Sequence, residues 1–114
     1  MEDDVLLRSL VIEVLTANGY SVHAVEKLEE LEVILQRTAR CALLLTDVVM
    51  PKFSGPEVAK RVAQHWPGIK VLFMSGYTTN AIVHHGVLDE GIFFLQKPFT
   101  PTALAAKVRE ALDA

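Results

Sequence analysis

The chain has 114 residues, 51% of them hydrophobic, with a formal charge of -3 and a pI near 5.7. That length supports one compact core spanning residues 1–114 and not two, and scattered Lys and Arg leave no basic stripe for nucleic acid. Met1-Glu2-Asp3-Asp4 has the wrong charge for a secretory leader, no apolar stretch approaches the ~20 residues that cross a bilayer, and the single Cys41 has no internal disulfide partner, so a soluble cytoplasmic domain is expected.

In chain order, Leu7, Leu10, Val11, Val14 and Leu15 recur at helical spacing and Asn18-Gly19 stops the pattern, which predicts a first helix. Tyr20 to Val25 alternates weakly and reads as a strand. Leu28, Leu31, Ile34 and Leu35 mark a second helix to about Thr38. Cys41 to Thr46 is a short apolar run of the kind that forms a buried parallel strand, with Cys41 read as a buried thiol. Ser54-Gly55-Pro56 opens a third helix striped by Val58, Val62 and Trp66, and Pro67-Gly68 closes it. Ile69 to Met74 is the next strand. A weaker helix from about Thr79 to Leu88 leads through Gly91 into the strand Ile92 to Gln96, and Thr100-Pro101 opens a last helix carrying Leu104, Val108 and Leu112. Strands alternating with helices imply right-handed crossovers and an α/β fold: a doubly wound parallel sheet with helices on both faces.

Three polar residues end the apolar runs: Asp47, Ser75 and Lys97. In such sheets ligands bind in the crevice beyond the carboxyl ends of the strands, so a carboxylate, a hydroxyl and an ammonium are expected to meet there. Each has an ordinary reading when taken alone. Asp47 can cap a turn, Ser75-Gly76 is a common turn pair, and lysine is usually a surface residue. Glu2-Asp3 at a chain start is usually a solvated cluster ahead of a helix. Only the joint spacing favours a site. His84-His85 are adjacent residues on a predicted helix, about 100° apart, and cannot easily share one ion. His23 and His65 receive no role, and Trp66 and Phe53 are read as core or loop anchors.

With those residues in place, the chain resembles the receiver domain of two-component response regulators over essentially its whole length. The matching stretches are Glu2-Asp3-Asp4, Leu45-Thr46-Asp47-Val48-Val49-Met50-Pro51 with Ser54-Gly55, Phe73-Met74-Ser75-Gly76-Tyr77, and Phe94-Leu95-Gln96-Lys97-Pro98-Phe99. The last two look most like receivers attached to hybrid sensor histidine kinases. The resemblance implies a flavodoxin-like fold and a phosphorelay module, not a conventional enzyme. Its partner would be a histidine kinase or phosphotransfer protein. Asp47 would be the phosphoacceptor, and Glu2, Asp3, Asp47 and the backbone carbonyl of Val49 would hold Mg2+. Lys97 would pair with Asp47 before transfer and with a phosphoryl oxygen after it. Ser75 and Phe94 would form the switch that alters partner binding, with phenylalanine standing where many relatives carry a hydroxylated aromatic. The resemblance also implies a cis peptide at Lys97-Pro98.

One departure stands out. The family carries about five apolar residues directly before its acidic pair, forming the central first strand, and Met1 stands in their last position here. Expected explanations are truncation ahead of residue 1, a strand donated by another chain through swapping or homodimerisation, or a sheet whose neighbouring strands close the gap. The alternative functions are a phosphorylation-independent interaction domain with the same fold, and a flavodoxin-like cofactor or hydrolase domain. No glycine-rich phosphate loop or nucleophile elbow supports the last.

Overall fold

The computed structural model of the chain describes residues 5–38, 40–48, 54–75 and 92–114. Within them the order is α1 (Val5–Ala17), α2 (Leu28–Arg37), β1 (Leu43–Asp47), α3 (Gly55–His65), β2 (Lys70–Ser75), β3 (Ile92–Gln96) and α4 (Pro101–Asp113). Residues Glu2, Asp3, Val49 and Phe53, the predicted helix at 79–88 and His84-His85 lie outside the described residues. Among the described residues no helix is long and apolar enough to cross a membrane.

Local chemistry sets the element ends. At the close of α1, Gly19 adopts φ +89°, the Tyr20 amide donates to the Leu15 carbonyl at 3.0 Å and the Gly19 amide to Thr16 at 3.0 Å. This is a Schellman ending, in which a residue without a Cβ takes the left-handed position. Glu30 opens α2 by accepting from the amides of Glu26 and Lys27 at 3.1 and 3.0 Å. Ser54 caps α3, accepting from the Glu57 amide at 3.3 Å, with Pro56 in the first turn. Thr100 caps α4 in the same way, accepting from the Ala103 amide at 3.0 Å, with Pro101 at its start.

The three strands are parallel in the order β1-β2-β3. Asp47 stands beside Met74, and Ser75 beside Gln96. Strand side chains alternate between two cores, as a period of two requires. Leu44, Val71 and Phe73 join Leu31, Leu35, Val58 and Val62 of α2 and α3 on one face. Leu72, Met74 and Leu95 join Val11 and Leu15 of α1 and Leu104 and Val108 of α4 on the other. Trp66 closes the first core, 8% exposed, with its indole N–H donating to the Thr38 carbonyl at 3.2 Å. Cys41 is partly buried, its thiol donating to the Leu43 carbonyl at 3.4 Å.

The expected strand at Tyr20 to Val25 is not formed. Among the described residues they have no ladder partner, although Tyr20 and Val22 pack on the α1/α4 core and Val25 in the α2/α3 core, the alternation of a sheet strand. Among the described residues a cavity of about 420 Å³ lies between this segment and β1, and the two do not pair across it, so these two neighbours do not close up on each other. The segment is held instead by side chains, among them Tyr20, whose hydrogen bond raises the pKa of the Arg109 guanidinium, with Asp113 adding to the effect.

Candidate functional site

Parallel strands of similar register bring their carboxyl ends to one edge of the sheet, and that edge gathers the three polar residues. Asp47 is the last residue of β1, Ser75 the last of β2, and Lys97 follows β3 directly. Two backbone bonds carry the ladder past the strand ends: the Val48 amide donates to the Met74 carbonyl at 3.0 Å, and the Lys97 amide to the Ser75 carbonyl at 2.7 Å. β1 and β3 are not neighbours, so the Lys97 side chain reaches across the end of β2. Its ammonium meets the Asp47 carboxylate at 3.0 Å.

Burial divides the three. The Asp47 and Lys97 side chains keep 14% and 24% of their exposure, enough for a reactant to reach the carboxylate, whereas Ser75 is 1% exposed. A compact ammonium beside a carboxylate fixes its orientation and offers a cation to any anion placed there. Phe94, partly buried, packs against the α2/α3 core three residues before Lys97. The Lys97-Pro98 bond is cis.

The end of β1 is held by two hydrogen bonds. Thr46, 0% exposed, donates its hydroxyl to the Asp47 carbonyl at 3.1 Å, and the Gly55 amide donates to the Val48 carbonyl at 2.7 Å. At Gly55 a Cβ would run into the Asp47 carbonyl oxygen and come within 3.1 Å of the Phe73 ring. Sequence reasoning placed Gly55 at a helix start and, with Ser54, in the stretch around Asp47 that carries the family resemblance. The contact of its backbone with Asp47 was not itself predicted, although a glycine standing where a helix former would serve better hints at a close approach.

Of the residues assigned to a metal, Asp47 alone is among those described. A carboxylate oxygen at a partly open strand end is a donor suited to a hard cation such as Mg2+.

Comparison with known proteins agrees with this architecture. The sequence profile of the response regulator receiver domain matches residues 1–109. The sensor kinase CckA of Brucella abortus (strain 2308) is 33% identical over 114 residues, covering 99% of this chain and 12% of CckA, so the chain spans a small part of that relative. The response regulator receiver protein CpdR of the same organism is 30% identical over 120 residues, covering 99% of this chain and 93% of CpdR. Among solved structures, the receiver domain of the hybrid histidine kinase CckA superposes with a TM-score of 0.80 at 33% identity, covering 97% of this chain and 94% of that one. A profile match over nearly the whole length, and a parallel sheet that gathers Asp47, Ser75 and Lys97 at its carboxyl edge, place this chain in the response regulator receiver domain family.

Proposed function

We propose that this receiver domain accepts a phosphoryl group on Asp47 from the phosphohistidine of a histidine kinase or phosphotransfer protein. An Asp47 carboxylate oxygen attacks phosphorus, the P–N bond breaks, and the imidazole leaves with the bonding pair, giving an acyl phosphate. Lys97 holds the carboxylate in place beforehand and then follows the negative charge to a phosphoryl oxygen. Mg2+, held by Asp47 with Glu2, Asp3 and the carbonyl of Val49, would neutralise charge on the transferred oxygens. Ser75 donates to another phosphoryl oxygen, and Phe94 moves with it to reshape the surface that partners read. The observation that supports this reading best is the 3.0 Å Asp47–Lys97 ion pair at the open edge of the sheet.

Incubation with acetyl phosphate, followed by intact mass, tests it. A gain of one phosphoryl group that requires magnesium and is lost in Asp47→Asn is the expected result. A folded wild-type chain that gains nothing would favour the phosphorylation-independent interaction domain.

A further inference from the structure

Among the described residues two polar side chains are buried, Ser75 and Thr46, and only Ser75 has a part in the chemistry above. Thr46 stands one place before Asp47 and is 0% exposed. Strand side chains alternate, so Thr46 shares the α2/α3 face with Leu44; its register neighbour is Phe73, whose own neighbour on β3 is Phe94. A hydroxyl in that apolar row costs free energy unless it is bonded, and valine has nearly the same shape without that cost. The hydroxyl is bonded: it donates at 3.1 Å to the carbonyl oxygen of Asp47 itself. Burial keeps water from competing for that bond.

The Asp47 oxygen is confined from a second side, where the Gly55 backbone packs so close that a Cβ would run into it. The same peptide group is held at its other end, because the Val48 amide donates to the Met74 carbonyl at 3.0 Å. Peptide groups are planar, so holding both ends fixes the ψ rotation of Asp47, one of the two soft backbone rotations at that residue. What remains free is the side chain, and Lys97 engages its carboxylate at 3.0 Å. We infer that Thr46 is a positioning residue for phosphoryl transfer: its buried hydroxyl locks the peptide between Asp47 and Val48 so that the carboxylate oxygen is aimed along the line of attack on phosphorus. Thr46 touches no reacting atom. Its role rests on the reading of Asp47 as the phosphoacceptor, and it acts on rate because misplacing a reacting group by about 1 Å can cost on the order of a hundredfold.

The test compares Thr46→Val, which keeps the shape and removes the hydroxyl, with Thr46→Ser, which keeps the hydroxyl and removes a methyl. Magnesium-dependent labelling of the full chain by acetyl phosphate is timed by intact mass, at a temperature where circular dichroism shows each variant folded. Thr46→Val should slow labelling about tenfold, and Thr46→Ser should stay within about twofold of the unsubstituted chain. A role in packing alone gives the reverse order, since only the serine variant leaves a void. The inference is overturned if Thr46→Val labels as fast as the unsubstituted chain, or if Thr46→Ser is slowed as much as Thr46→Val. Should Thr46→Val not fold, the serine rate and the unsubstituted chain decide: NMR should show the Thr46 hydroxyl proton exchanging slowly with water and coupled to the Asp47 carbonyl carbon. A freely exchanging hydroxyl proton overturns the inference. An unsubstituted chain that gains no phosphoryl group is a distinct outcome, which removes the phosphoacceptor reading itself and this role with it.

Discussion

At the scale of single residues, Gly55 shows how the loss of one hydrogen's worth of space can matter. Gly55→Ala lacks space, because its Cβ would meet the backbone oxygen of Asp47, which cannot swing aside as a side chain can. A cost toward the upper end of ~1–3 kcal/mol is expected in denaturant melts, with slower phosphoryl labelling as the strand end shifts. Lys97→Met removes the ammonium 3.0 Å from Asp47 while keeping most of the apolar stem. Labelling by acetyl phosphate should fall at least tenfold with the melting temperature little changed, since a partly exposed pair contributes only ~0–1 kcal/mol to folding. Equal labelling of this variant would remove Lys97 from the proposed chemistry. Asp47, Ser75 and Lys97 were legible as a group because each ends an apolar run. The proximity of Gly55 to Asp47 was not legible, since it depends on where α3 docks.

At the scale of elements, helix ends follow their local residues closely. Ser54 and Thr100 cap α3 and α4 with side-chain oxygens, and Gly19 ends α1. At Gly19 there is open space, and the backbone alone is demanding, with φ +89°. Gly19→Ala should therefore cost about 1–2 kcal/mol by thermal or denaturant melting without affecting labelling, in contrast to Gly55→Ala. The strand at Tyr20 to Val25 shows the limit of local reading. Its residues alternate as a strand requires, but a strand is defined by its neighbour, and among the described residues none is in reach. β1 likewise starts at Leu43 and not at Cys41, because ladder pairing with Lys70 begins there.

At the scale of the whole molecule, two apolar layers clamp a thin sheet, and their contributions differ from that of the polar surface. Leu104 is 0% exposed in the α1/α4 core, so Leu104→Ala should cost ~2–5 kcal/mol in a denaturant melt, a large share of a small domain's stability. The Glu32–Arg61 pair joins α2 to α3 through bonds of 2.9 and 2.8 Å, but both side chains are over 40% exposed, and a double-mutant cycle should return no more than ~1 kcal/mol. Apolar periodicity, capping residues and turn glycines were enough to specify α/β class, the formed strands and the carboxyl-edge location of Asp47, Ser75 and Lys97, because these depend on near neighbours in the chain. The pairing of Lys97 with Asp47 across β2, the tight seat of Gly55 and the cavity between residues 20–25 and β1 depend on residues far apart in sequence. Those features exist only once strands and helices pack together, since shape and hydrogen-bond reach across the sheet are properties of the assembled layers.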